Sequence, residues 1–267
     1  MEKIGLIAGN RKFPIIFSQA AKEKNQYIVA VAIKNDASRR LNKFVDEIHW
    51  LGLGEFSKIF EIFKNKAVTK IVMAGQISPR RLFSKEVAKD PVLKQLLDSI
   101  KDKRADSIFS AIADKLEAAG FELADSTLFL ESYLPQKGTL TSKEPDQFIR
   151  EDINFGVRLA KEVASLDIGQ TVAVKNKAIV AVEALEGTDK LIRRAAWISR
   201  GRMTVVKVAK PNQDRRFDIP VVGLNTIKNL IKAKAVCLAI EAGKTLFIDK
   251  EESISLADKK GIVIAAV

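Results

Sequence analysis

Lys3-Ile4-Gly5-Leu6-Ile7-Ala8-Gly9-Asn10-Arg11, with the helical spacing of residues 13–24 and the apolar run Tyr27-Ile28-Val29-Ala30-Val31-Ala32-Ile33 behind it, decides the fold class. The first run is an apolar strand that stops at Gly9. Residues 13–24 place apolar side chains at helical intervals, with Pro14 near the start, where a missing amide is tolerated. Working outward, residues 48–51 read as a third strand and 55–64 as a helix with Phe56, Ile59, Phe60 and Phe63 on one face. A fourth strand at 70–73 runs into Ala74-Gly75. Alternating strands and helices of this length predict a parallel, doubly wound sheet. In such sheets ligands sit beyond the carboxyl ends of the strands, where Gly9-Asn10-Arg11 and Gly75-Gln76 fall.

Residues 91–119 read as two helices, followed by strands at 121–123 and 127–130. Residues 135–145 hold two of the seven prolines and show no apolar periodicity, which marks a linker. A helix at 149–164 and two short strands around Asn176 come next. A helix over 188–200 has Thr188 as its expected N-cap. The chain closes with strands at 204–208, 236–240, 245–248 and 262–267 and helices near 226–233 and 251–260. The expectation is an α/β protein with an N-terminal Rossmann-like parallel-sheet domain (1–134), a linker (135–147) and a C-terminal α/β domain (148–267).

Composition narrows the function. The net charge of +12 divides equally, +6 in residues 1–140 and +6 in the remainder, so there is no basic tail of the kind that marks a nucleic-acid arm. Phosphate ligands or an anionic membrane surface account for the excess as well, and no nucleic-acid partner is expected. The one cysteine, Cys237, lies in an apolar run and excludes an internal disulfide, which suits a reducing compartment. The first twenty residues lack a signal-peptide layout, and no apolar stretch reaches the roughly 18 residues a spanning helix needs. With His49 the sole histidine, zinc sites built from His and Cys clusters cannot form within one chain. Any metal is expected to be hard and oxygen-bound.

Four segments carry chemistry, each with a plain alternative. Gly9-Asn10 lacks G-x-G-x-x-G spacing, and is a ligand loop or an ordinary tight turn. Gly75-Gln76-Ile77-Ser78-Pro79-Arg80-Arg81 offers two arginines to a diphosphate, or is a solvated loop. Glu183, Glu186 and Asp189 lie between a strand and a helix, where they suit magnesium or form a charged turn. The strongest signal is Lys207-Val-Ala-Lys210-Pro211-Asn-Gln213-Asp214-Arg215-Arg216-Phe217-Asp218. Its cations suit phosphoryl oxygens, and Asp214 or Asp218 suits a metal or an attacking water. Mutual neutralisation on the surface is the alternative.

Together with Ile4-Gly-Leu-Ile-Ala-Gly9-Asn10, His49-Trp50, Met73-Ala-Gly75, Leu166-Asp-Ile-Gly-Gln170, Ala181-Val-Glu-Ala-Leu-Glu-Gly-Thr-Asp189, Asp218-Ile-Pro-Val-Val-Gly223 and Glu241-Ala-Gly-Lys-Thr245, these segments resemble the LpxI-type UDP-2,3-diacylglucosamine pyrophosphatases of lipid A synthesis. The resemblance spans nearly the whole chain. It implies two domains with substrate held between them, and magnesium-dependent hydrolysis of UDP-2,3-diacylglucosamine to UMP and 2,3-diacylglucosamine 1-phosphate (lipid X), with water attacking the sugar-linked phosphorus. The family's acidic site carries over to Gln213–Asp218. The expected catalytic residues are Asp214, Asp218 and Lys210, with Glu186, Asp189 and Asp214 as ligands for Mg2+ or another hard divalent metal. Gly9, Asn10, Arg11, Gly75, Gln76, Thr188, Lys207, Gln213 and Arg215 are expected to bind substrate. The resemblance also implies a cytoplasmic protein at the inner-membrane surface, with a homodimer as a possible assembly. This chain departs from the family in having Arg11 and Gln76 where glycines are common. A non-catalytic nucleotide-sugar binding protein is the alternative reading.

Overall fold

The computed structural model describes residues 2–77, 81, 84–102 and 104–267. The chain divides into two compact units, one comprising Met1–Glu131 with Asp214–Asp218 and the other Ser132–Gln213 with Ile219–Val267. The 214–218 segment, read in sequence as part of the C-terminal domain, therefore packs with the first unit. Among the described residues, no helix is long and apolar enough to cross a membrane.

The first unit is built on β1 (Lys3–Ala8), β2 (Tyr27–Ile33), β3 (Glu47–Leu51), β4 (Lys70–Ala74) and β5 (Glu122–Leu123). All pair in parallel in the order β3-β2-β1-β4-β5. Helices α1 (Phe13–Glu23), α2 (Lys58–Asn65), α3 (Pro91–Ser99) and α4 (Ala105–Ala118) connect them. β1, β2 and β4 are almost wholly buried, as strands covered on both faces must be, which is why they read as continuous apolar runs. The order reverses between β1 and β4, so their carboxyl ends form the crevice in which doubly wound sheets hold ligands. There the Gly9 amide donates to the Ala74 carbonyl at 2.8 Å and the Asn10 amide to the Gln76 carbonyl at 2.8 Å. Gly75 sits at φ +83°, and a Cβ added to it would lie 2.5 Å from the Asn10 carbonyl oxygen.

The strand expected at 127–130 is a turn. The Asp125 carboxylate accepts from the Thr127 amide at 2.7 Å and the Thr127 hydroxyl at 2.6 Å, and the Leu130 amide donates back to the Thr127 carbonyl at 2.8 Å. An aspartate that bonds the backbone two residues on gives the chain a local alternative to a ladder.

The second unit carries β6 (Gly138–Thr139), β7 (Thr171–Lys175), β8 (Ala178–Val182), β9 (Thr204–Lys207), β11 (Cys237–Ile240) and β13 (Val263–Ala266) in the order β6-β13-β11-β9-β7-β8. β9, β11 and β13 run parallel, and β6, β7 and β8 pair antiparallel with their neighbours. A two-stranded parallel sheet joins β10 (Val221–Val222) to β12 (Leu246–Phe247). The helices are α5 (Gln147–Ser165), α6 (Thr188–Ser199), α7 (Leu224–Lys232) and α8 (Lys250–Lys259). Side chains alternate across the large sheet with period two. Val205, Leu238 and Ile264 pack with Leu191, Ile227 and Ala257 of α6, α7 and α8. Val206, Ala239 and Val263 pack with Ile153 and Ala160 of α5 on the other face. Residues 138–139, inside the stretch read as linker, pair with β13 at the sheet's edge.

Gly75→Ala combines a left-handed φ with a backbone clash, so it should destabilise the protein by more than about 1 kcal/mol. The urea unfolding midpoint measures this, and an unchanged midpoint would contradict the close β1–β4 approach.

Candidate functional site

In the first unit the 214–218 segment is held by four kinds of contact. The Arg215 Nε donates to the Asp125 carboxylate at 2.6 Å, and its Nη2 donates to the Thr127 hydroxyl at 2.7 Å. The Ser126 amide donates to the Arg215 carbonyl at 2.8 Å. The buried Ser126 Oγ lies 2.6 Å from the Met73 carbonyl and 2.7 Å from that of Arg216, and its single proton serves one at a time. Phe217 stacks on Phe109 with centroids 5.9 Å apart. These contacts tie the segment to the end of β4 and to α4.

Asp214 and Arg216 form a closed pair within this segment. Arg216 donates to the Asp214 carboxylate from its amide at 3.0 Å and from Nη2 at 2.7 Å, and its Nη1 also reaches Glu117 at 2.8 Å. Partial burial pushes the Asp214 carboxyl up, but the hydrogen bonds from the Arg216 side chain and amide outweigh it and hold Asp214 below the usual carboxylate range. Asp214 is therefore ionised at neutral pH. The Asp218 amide donates to the Asp214 carbonyl at 2.9 Å, which closes the segment into one turn.

At the β1–β4 crevice, Asn10 keeps a side-chain oxygen that is buried without a hydrogen-bond partner among the described residues. Arg11 sits at φ +69°, a left-handed conformation that glycine adopts without strain. Gln76 joins the crevice through its isolated bridge to Asn10. Arg81, read as a diphosphate grip, instead donates to the Asp36 carboxylate at 2.6 Å, to Glu86 at 2.8 Å and to the Lys34 carbonyl. Ser78, Pro79 and Arg80 lie outside the described residues.

In the second unit, the carboxyl ends of β9 and β11 meet the start of β7. The buried Lys207 ammonium donates to the Thr188 hydroxyl at 2.9 Å and lies 3.4 Å from the Thr171 hydroxyl and 4.0 Å from the Glu183 carboxylate. Thr188 Oγ1 in turn donates to Glu183 at 2.8 Å. Thr188 is thus the first residue of α6 rather than its N-cap. Gly187 takes the cap position at φ +84°, because the Thr188 hydroxyl is committed to Glu183 and Lys207.

Beside this cluster, Lys210 Nζ lies 2.5 Å from Asp167, and the Lys210 amide donates to the Gln213 side chain at 2.6 Å. Lys161 Nζ lies 2.5 Å from Glu241, which also accepts from the Ala209 amide at 2.8 Å. Burial raises the Glu241 carboxyl and the Lys161, Lys244 and Ala209 donors more than reverse it, leaving Glu241 below its ordinary range. A Cβ on Gly169 would lie 2.1 Å from the Glu183 carbonyl oxygen, so only glycine lets the 166–169 loop reach the cluster.

Each of the three carboxylates expected to hold a metal has a hydrogen-bond partner within its own unit. Glu186 accepts from Arg194 at 2.6 Å and from the Ala184 amide at 3.0 Å. Asp189 accepts from the side-chain amides of Asn225 at 3.0 Å and Asn229 at 2.8 Å. Asp214 belongs to the other unit. Among the described residues no group of three or more His, Cys, Asp or Glu side chains could hold a metal ion.

The structure thus brings Lys207 to Thr188, Lys210 to Gln213, Arg215 to the Asp214 turn, and Gly9-Asn10 to Gly75-Gln76. Sequence reading missed Asp125, Ser126 and Glu117 as the supports of the 214–218 segment, and Lys161 and Thr171 beside the lysines. The polar triplet Asp125-Ser126-Thr127 right after an apolar strand was the available signal.

Both halves of the chain match known family models: the LpxI N-terminal domain over residues 3–133 and the LpxI C-terminal domain over 136–265. A UDP-2,3-diacylglucosamine pyrophosphatase LpxI from Caulobacter vibrioides is 30% identical over 277 aligned residues, covering 100% of this chain and 98% of that protein. Among solved structures, an ADP complex of N5-carboxyaminoimidazole ribonucleotide synthetase aligns with a TM-score of 0.27 at 16% identity, over 65% of this chain and 32% of that one. The biotin carboxylase domain of Hydrogenobacter thermophilus 2-oxoglutarate carboxylase gives 0.30 at 14%, over 74% and 41%. The chain spans less than half of either, and likeness at that level says nothing about chemistry.

A depressed carboxyl pKa adds stability above the unfolded-state value, and this is lost as pH falls through the folded-state value. The acid limb of the stability profile, followed by denaturant unfolding from neutral pH downward, should be shallower in Asp214→Asn than in the wild type. Superimposable limbs would contradict the Asp214–Arg216 pairing.

Proposed function

This chain belongs to the LpxI family, and from that premise we propose that it hydrolyses the diphosphate of UDP-2,3-diacylglucosamine to UMP and 2,3-diacylglucosamine 1-phosphate. The observation that carries this reading is the match over both domain models. Water adds across the P–O–P linkage, so one anhydride becomes two phosphate monoesters. A diphosphate brings negative charge that grows on the leaving oxygen, and phosphoryl transfer is driven by positioning and charge stabilisation.

The geometry supports distinct roles. Lys207 and Lys210 are cations at a strand edge, each already oriented by hydroxyl or carboxylate partners, and suit phosphate oxygens. Asn10, with its buried acceptor, suits a donor on the nucleotide part of the substrate. Asp214 is ionised but locked by Arg216, which makes it a weak proton acceptor and a fixed negative charge that orients a water or a cation. Asp218, in the same turn, is the second candidate for taking the water's proton. Dependence on Mg2+ or another hard divalent cation belongs to this proposal through the family alone, with no protein ligands assigned. The same reading puts the enzyme in the cytoplasm, at the inner-membrane surface where its acylated substrate resides.

The test is UMP release from UDP-2,3-diacylglucosamine by purified protein, with Mg2+ and with excess EDTA. Asp214→Ala, Asp218→Ala and Lys207→Met should each lower kcat by about 10²-fold or more, the usual scale for losing one transition-state stabiliser or proton-transfer group. Binding of the UDP-sugar without any UMP release, by folded protein under both conditions, would establish a binding protein instead. Wild-type turnover in both aspartate variants would remove the 214–218 segment from the site.

A further inference from the structure

We propose that the outer face of α6, bounded by Leu185 at one end and Trp197 and Ile198 at the other, docks on an anionic lipid surface. The helix buries Leu191, Ile192 and Ala195 against the sheet. Lys190, Arg193 and Trp197, at i, i+3 and i+7, share the face turned away from that core. Trp197 is 84% exposed, Ile198 50% and Leu185 99%. A tryptophan and two aliphatic side chains left in water on one short segment call for a covering partner.

The charge around them chooses that partner. Residues 184–202 carry five cations (Lys190, Arg193, Arg194, Arg200 and Arg202) against two carboxylates. Both carboxylates are turned to internal partners, Glu186 to Arg194 and Asp189 to the amides of Asn225 and Asn229. Among the described residues Lys190, Arg193, Arg200 and Arg202 make no ion pair, so the face is cationic with apolar side chains at its ends. A second copy of the chain would oppose like charges. An anionic bilayer supplies phosphates for the cations and an acyl boundary for Trp197 and Leu185, the pattern of an interfacial helix.

The helix is held firmly enough to serve as a platform. The Ser199 carbonyl accepts from Lys175 at 2.7 Å, and the Val182 carbonyl accepts from Arg194 at 2.8 Å, so α6 is pinned to β7 and β8 at its C-terminal end and its middle. Leu185 follows Glu183 and precedes Thr188, so docking there would bring the Lys207 cluster to the lipid surface. The inference does not depend on the proposed reaction.

Sedimentation of the full-length protein with sucrose-loaded vesicles tests it. Phosphatidylglycerol-containing vesicles should pull the protein down and pure phosphatidylcholine should not, and the difference should fade with rising salt. Arg193→Glu and Arg200→Glu should each weaken partitioning at least roughly fivefold, the expected scale for one surface cation. Trp197→Ser should weaken it comparably, and in a Trp50→Phe background the Trp197 emission should shift to the blue on vesicle addition. All three variants should keep wild-type melting temperatures and wild-type UMP release from detergent-dispersed substrate. Equal binding to both vesicle types, no binding, or unaltered binding by the variants would overturn the proposal. So would a dimer abolished by Trp197→Ser, or tight RNA binding without vesicle binding.

Discussion

Where parallel strands end together, their ladder hydrogen bonds run out together, and every backbone group beyond that edge must find another partner. Both units of this protein are organised by that constraint. In the first, the Met73 carbonyl at the end of β4 is met by the Ser126 hydroxyl, and the Gly9 and Asn10 amides turn inward to Ala74 and Gln76. In the second, the Ala209 amide just past β9 is met by the Glu241 carboxylate just past β11. Polar side chains are concentrated at these edges because the backbone requires them there.

Ion pairing at the edges does more than neutralise. Arg216 closes on Asp214, Arg215 on Asp125, Lys210 on Asp167 and Lys161 on Glu241, so each charge is oriented before any ligand arrives. Partly buried pairs of this kind add modestly to stability, since desolvation offsets much of the Coulomb gain. Their value for chemistry is positional: a fixed charge needs no reorganisation when charge develops on a substrate. Lys207 shows the same logic with hydroxyls, held by Thr188 and Thr171 beside Glu183.

The parallel sheet of the first unit was legible from the chain because strands buried on both faces read as continuous apolar runs, and helices with Pro14 or an apolar stripe read as helices. The loops read as ligand-facing, Gly9-Asn10 and Gly75-Gln76, follow from the same pattern, since they are what comes after those runs. The strand expected at 127–130 failed because Asp125 bonds the backbone of Thr127, a side-chain effect that an apolar count cannot register. Thr188 failed as an N-cap for a similar reason: its hydroxyl has distant partners in Glu183 and Lys207 that outcompete the local amide.

Sequence by itself determined most of the element types, the order in which they come, the family, and a short list of charged residues to consider. Those properties depend on local periodicity, turn chemistry and motif spacing, all of which are linear. Tertiary structure alone decided that the 214–218 segment packs with the first unit, that Arg216 is the immediate side-chain partner of Asp214, and that Glu186 pairs with Arg194 and Asp189 with two asparagines. Glu117 and Asp125 lie some ninety or more residues from the arginines they hold. Nothing in a linear pattern ranks one such distant carboxylate over another, because the pairing is set by which strand ends the sheet brings to the same edge.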